Sequence, residues 1–121
     1  MNRLPSEEEI RKIKKEISSK KLVAIVEGKK DKEAIEYFGF KKIIVIGGKS
    51  LHLLSFRKGA RVVILTDFDR EGRRKARKLR RLMRENEVFI EEEIRREFAR
   101  IFKVKKIEEI KAKVKLILQK F

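Results

Sequence analysis

Three carboxylates stand where the chain has just left an apolar run, and their placement suggests metal chemistry. Leu22-Val23-Ala24-Ile25-Val26 leads straight into Glu27-Gly28, and Val62-Val63-Ile64-Leu65 leads into Thr66-Asp67-Phe68-Asp69-Arg70-Glu71-Gly72. Asp67 and Asp69 alternate by two, so an extended turn presents both to one side. Hard cations such as Mg2+, or Mn2+ in its place, take oxygen ligands and bind one or two carboxylates together with water and phosphate oxygens. Carboxylates gathered without a cation repel one another, which predicts a bound metal or a raised carboxyl pKa. Strand-end acids also have a plainer use as helix caps, and Asp69 is well placed to cap the helix that follows it. Glu71 fits a metal ligand and an ordinary first-turn acid, favoured by the helix dipole, equally well. Asp31 reads as a cap.

Glu27 precedes Asp67 by 40 residues and can meet it only through a sheet. The five-residue run at 22–26 shows no alternation, as expected of a strand covered on both faces, and 43–46 and 62–65 repeat that character. Between the first two runs, Ala34, Ile35 and Phe38 share one helical face that Gly39 can end, which predicts a βαβ unit and therefore parallel pairing. Gly72, Ala76, Leu79 and Met83 mark a helix over about 71–86. Val88 to Ile90 fits a short fourth strand or a turn. Ser6 with Glu9 has capping-box spacing, predicting a helix over about 6–18 with Ile10, Ile13 and Ile17 on its apolar stripe. Two amphipathic helices are expected over about 91–120, one carrying Ile94, Phe98, Ile101 and Phe102, the other Ile107, Ile110, Val114 and Ile117. The expectation is a single α/β domain over 1–121: a Rossmann-like parallel sheet of about four strands flanked by helices, with its core at about 21–90 and extra helices at both ends. In such sheets ligands bind beyond the carboxyl ends of the strands, where these acids fall.

Lys and Arg number 35 against 19 Asp and Glu, a net charge of +16. The excess runs through the whole chain, and with no long apolar segment to anchor it in a membrane, nucleic acid is the expected polyanion. The helix after Asp69 concentrates it: Arg73, Arg74, Lys75, Arg77, Lys78, Arg80, Arg81 and Arg84 lie within twelve residues. Phosphates can meet Arg70, Arg73, Arg74 and Arg77 together with the helix N-terminus. Lys29 and Lys49 are further candidates, although solvated loop lysines read as well. A charged fraction of 45% with one Pro also resembles heat-adapted composition, under which the basic helix is only a solvated face. The absence of cysteine excludes disulfides, thiolate zinc sites and a cysteine nucleophile. A cytoplasmic location is expected, because the N-terminus is too polar for a signal peptide. Gly47-Gly48-Lys49-Ser50 half-matches a P-loop, but Ile43 occupies the place of its first glycine, so ATP binding is rejected and the glycines are read as allowing close backbone approach. His52 is read as a surface or partly packed residue.

Val26-Glu27-Gly28, Asp31, Gly47-Gly48 and the D-x-D-x-x-G stretch from Asp67 to Gly72 together resemble the Toprim domain of type IA topoisomerases, bacterial primases and small RNA-maturing nucleases, over about residues 21–90. The resemblance implies metal-dependent phosphoryl transfer, with Glu27 as general acid or base and Asp67 and Asp69 holding Mg2+, and it places Glu71 facing the metal. A topoisomerase needs a tyrosine nucleophile, whereas the single tyrosine, Tyr37, lies on the first crossover helix. A primase needs a polymerising body and often a zinc module. Val26-Glu27-Gly28-Lys29 and Ile64-Leu65-Thr66-Asp67 are most similar to the small nucleases, which include the enzyme that matures 5S ribosomal RNA. The expected function is Mg2+-dependent phosphodiester hydrolysis on nucleic acid, RNA favoured over DNA. The alternative is a noncatalytic nucleic-acid-binding or adaptor module that keeps the metal site and meets a protein partner through its C-terminal helices.

Overall fold

A computed structural model describes residues 4–47 and 59–119. Its first helix, α1 (Glu7–Ser19), opens with the predicted capping box: the Ser6 hydroxyl accepts from Glu9 N at 3.1 Å, and Glu9 Oε1 accepts from Ser6 N at 2.9 Å. Strand β1 (Val23–Val26) leads into α2 (Lys29–Ile35), which tightens into a 3-10 turn and stops where Gly39 adopts φ +84°. There follow β2 (Lys42–Val45), β3 (Arg61–Ile64), α3 (Arg70–Glu85), β4 (Phe89–Ile90), α4 (Glu93–Phe102) and α5 (Ile110–Gln119), the last introduced by a 3-10 turn at Ile107–Glu109. Lys49 and His52 lie outside the described residues.

All strand pairs are parallel, in the order β2-β1-β3-β4. The order reverses between β1 and β3, the switch point at which such sheets form their ligand crevice beyond the carboxyl ends of the strands. The apolar runs still obey the two-residue period of a strand. Ala24, Val26, Val63 and Leu65 face one layer, while Ile25, Val62 and Ile64 face the other. The second layer is α3 alone, through Ala76, Leu79 and Met83, closed by Val88. The first layer is larger, built from α1, α2, α4 and α5. The apolar stripes read for the C-terminal helices are therefore used inside the core, leaving Leu116 and Leu118 half exposed on α5. Phe38, Phe98 and Phe102 form its centre, with edge-to-face contacts at 4.8 and 5.7 Å and a stacked Phe98–Phe102 pair at 5.7 Å. Among the described residues no helix is long and apolar enough to cross a membrane.

The fourth strand exists but is short, pairing only Phe89 with Arg61 and Ile90 with Val62. Phe89 N donates to the Ala60 carbonyl at 3.1 Å and Glu91 N to that of Val62 at 2.8 Å, after which the strand ends. The carbonyls of Ile64 and Thr66 continue the same edge of β3 without a strand beside them.

Phe98→Ala should lower the unfolding free energy by about 3–5 kcal/mol, since it empties a fully buried aromatic site. Phe89→Ala, at a ring that is 57% exposed, should change it far less. Urea denaturation of both variants checks the contrast.

Candidate functional site

The carboxyl end of β3 is organised by Arg95, which no sequence pattern singles out. It is almost wholly buried. Its Nη1 donates to the Ile64 carbonyl at 3.0 Å and the Thr66 carbonyl at 2.7 Å, and its Nη2 donates to the Asp67 carbonyl at 3.0 Å. The guanidinium therefore replaces the strand that β4 is too short to provide. It also lies over the Phe68 ring, 5.0 Å from its centroid. Burial lowers the Arg95 pKa to about 10, with the neighbouring Arg80 adding to the shift, so the group remains charged at neutral pH.

The turn from β3 into α3 is fixed from within as well. Asp69 caps α3, its Oδ1 accepting from Gly72 N at 2.8 Å, and this bond holds its carboxyl below the usual range. Thr66 Oγ1 donates to the Gly72 carbonyl at 2.6 Å. Gly72 is required by contact: a Cβ there would lie 2.0 Å from the Asp67 carbonyl oxygen. Across the crevice, Gly47 N donates to the Glu27 carbonyl at 2.8 Å, tying the loop after β2 to the end of β1. A Cβ at Gly47 would come within 3.1 Å of that oxygen, the close approach predicted for this loop.

Glu27, Asp67 and Asp69 all emerge at this crevice, and each meets an ammonium group. Glu27 Oε2 lies 2.5 Å from Lys75 Nζ. Lys106 Nζ lies 3.9 Å from Asp67 Oδ2 and 3.7 Å from Asp69 Oδ2. The bond to Glu27 raises the Lys75 pKa and so holds its proton. Asp67 Oδ1 accepts from Ile107 N at 2.9 Å, across 40 residues of chain. Asp31 caps in reverse, its Oδ2 accepting from Gly28 N at 3.1 Å. Burial, followed by the charges of Asp67, Glu27 and Glu108, raises its pKa against that bond.

Glu71 stands apart, with its carboxylate paired to Arg74 on the exposed first turn of α3. That is the first-turn arrangement anticipated as one of its two readings. Lys29 begins α2 and Arg70 begins α3, both exposed, while Arg73, Arg74 and Arg77 are exposed further along α3. Lys75, counted above only among the basic residues of its helix, had a usable signal for its role beside Glu27: it is three residues from Gly72 and adjacent to Ala76, on the flank of the buried stripe. Lys106 and Ile107 had none, because only the folded chain returns them to the acids.

The donor set suits a hard cation in kind, since every candidate ligand is a carboxylate oxygen. Asp67 Oδ1 and Asp69 Oδ1 are committed to backbone N–H groups, leaving their Oδ2 atoms, with Glu27 Oε2, facing the two lysines. Among the described residues no three acidic or histidine side chains converge closely enough to grip one ion. The lysine ammonium groups supply the positive charge at these oxygens.

A sequence model of the Toprim domain matches residues 22–101. This chain belongs to the Toprim family. Membership of that family associates the chain with metal binding and nucleic-acid processing. The match runs to residue 101 and so takes in α4 as far as Ile101, with Arg95 on it. The fold is shared with a solved protein from Aquifex aeolicus, with 32% sequence identity, a TM-score of 0.66, and coverage of 85% of this chain and 95% of that one. No curated protein matches the chain.

Arg95→Lys keeps the charge but cannot reproduce the fork, and each carbonyl left without a donor should cost about 1–3 kcal/mol, read from urea denaturation. Asp31→Asn should have the opposite sign. The folded-state pKa of Asp31 is raised, so its charged form opposes folding at neutral pH, and the amide, which can still accept from Gly28 N, should stabilise the domain at pH 7. That gain should disappear below the ordinary carboxyl value near 3.8, where Asp31 is neutral in both states. Denaturation at pH 7 and at pH 3 tests the sign.

Proposed function

We propose that this Toprim chain hydrolyses phosphodiester bonds in nucleic acid, RNA in preference to DNA, with Mg2+ or Mn2+ as cofactor. The supporting observation is that Glu27 and the Asp67–Asp69 pair leave adjacent parallel strands, β1 and β3, at the point where the strand order reverses. The preference for RNA rests on the likeness of Val26-Glu27-Gly28-Lys29 and Ile64-Leu65-Thr66-Asp67 to the small RNA-maturing nucleases.

In this reading Asp67 and Asp69 hold the cation through the oxygens that now face Lys106, and Glu71 can join them only by leaving Arg74. When bound, the cation neutralises phosphate oxygens and activates water. Glu27 moves a proton at the attacking or leaving oxygen, and Lys75 orients its carboxylate. Arg70, Arg73, Arg74 and Arg77 add positive charge at the start of α3, where the helix N-terminus also favours phosphate. Lys29 begins α2 on the other side of the crevice.

A second reading draws support from a specific observation. Glu27, Asp67 and Asp69 already hold ammonium groups, which suits a noncatalytic nucleic-acid-binding or adaptor module with its acids neutralised from within.

Full-length protein freed of contaminating nuclease should cut structured RNA with Mg2+ or Mn2+ and not without metal, and should act more slowly on DNA of the same sequence. Asp67→Asn can keep its bond from Ile107 N, so it should abolish cleavage while retaining salt-sensitive RNA binding. Metal-dependent cleavage unchanged by that substitution would remove the acids from the chemistry. Binding without any cleavage would favour the adaptor.

A further inference from the structure

The early end of β4 leaves a cleft between α3 and α4. It has a volume of about 220 Å3 and is lined by Phe68, Arg73, Arg80, Glu92, Arg95 and Arg96. Four arginines and one carboxylate residue thus line it. Arg96 also pairs outward with Glu93 at 3.1 Å, and Arg95 is committed to the carbonyls of β3. Arg80 and Arg73 supply the cleft's available charge.

The pairing at the cleft floor is incomplete. Arg80 Nε lies 2.7 Å from Glu92 Oε2, yet the N–H is not aimed at it. Among the described residues neither Arg80 Nε nor Glu92 Oε1 has a hydrogen-bond partner, although both atoms are buried. A buried guanidinium N–H without an acceptor is costly, and an oxyanion in the cleft would relieve it. The charges of Arg80 and Arg73 also act against Arg95, and an anion would offset that repulsion.

A second groove borders the cleft at Arg80. Arg80 lines both, and Arg77, Arg81 and Arg84 carry the guanidinium row toward the end of α3. At 1.5 Å per residue, Arg73 to Arg84 extends about 16 Å away from the acidic strand ends.

We propose that this arginine cleft is a phosphate subsite that holds a nucleic-acid strand along α3, on the α4 side, as the strand leaves the acidic crevice. The proposal rests on the nucleic-acid part of the function above and requires no cleavage. It assigns roles to Arg80, Arg81 and Arg84 and gives the strand a direction. Guanidinium forks suit phosphate oxygens better than lysine would, which fits the arginines that α3 supplies to the two grooves at 73, 77, 80, 81 and 84.

The test is anisotropy of a short fluorescent RNA on the full chain without added metal, titrated with salt over about 50–200 mM. Arg73→Gln and Arg80→Gln should each weaken binding and flatten the plot of log affinity against log salt by about 0.7 per lost single-strand phosphate contact. Lys15→Gln, which removes the same charge from exposed α1 on the opposite layer, should leave the slope unchanged. Arg73 is exposed and outside the Glu92 pair, so its variant reports on the cleft even if Arg80→Gln unfolds. Slopes for both arginine variants no different from that of Lys15→Gln would overturn the proposal. Inorganic phosphate separates the sources: if it raises the melting temperature of the wild type but not of the Arg73 variant while the RNA slopes stay equal, the cleft takes free phosphate and the strand assignment fails. Flattened slopes in a protein that cuts nothing would sustain the subsite and sink only the hydrolytic reading.

Discussion

The Arg95 guanidinium is the contact on which the working end of this domain depends. Alternate carbonyls of β3 face β4, and every one of them needs a donor once it is buried. The first two, from Ala60 and Val62, receive backbone N–H groups, whereas those of Ile64 and Thr66 receive Arg95. A third strand residue would have carried the sheet forward and closed the space beside Phe68. A guanidinium satisfies the same acceptors from a helix instead, and so ties α4 to the strand end while leaving a cleft open. Burying the charge lowers the Arg95 pKa to about 10, a shift too small to neutralise it under ordinary conditions.

The acids beyond that edge belong to a chain of net charge +16, and their surroundings reflect it. Glu27 and Lys75 are both partly screened by the protein, 23% and 42% exposed, so their contact is stronger than a pair fully in water. Lys106 is shared between the two aspartates at longer range. The crevice therefore carries alternating charge rather than a bare acidic patch, and any cation entering it must compete with two tethered ammonium groups.

Much of this was legible in the chain. Unbroken apolar runs indicated strands covered on both sides, and the helical pattern between them implied parallel crossovers. Ser6 with Glu9, and Asp69 with Gly72, act locally, so their capping and packing roles follow from spacing. Phe89–Ile90 was ambiguous because a strand of two residues carries no period. Arg95 was hidden by its type: in a chain this basic, one arginine beside the apolar Ile94 looks like any other, and only the missing stretch of β4 gives it a purpose. Lys106 and Ile107 were out of reach for a different reason, since their positions depend on how α4 and α5 turn back over the sheet. Glu27 and the aspartates were located by their strands, but their partners were not.

The bond from Ile107 N to Asp67 Oδ1 has its donor outside the stretch matched by the family, which ends at residue 101. The Asp67–Asp69 turn is thus braced by a peptide group from beyond the matched stretch, just ahead of α5. Transplanting the strand–turn–helix segment alone would carry the acids but not their geometry, because one oxygen of Asp67 would be free to rotate and Lys106 would be gone. For this domain the recognisable motif is not a portable module, and α5 is a lever: whatever grips that helix pulls, through the 3-10 turn at Ile107–Glu109 and the hydrogen bond from Ile107 N, on the aspartate itself.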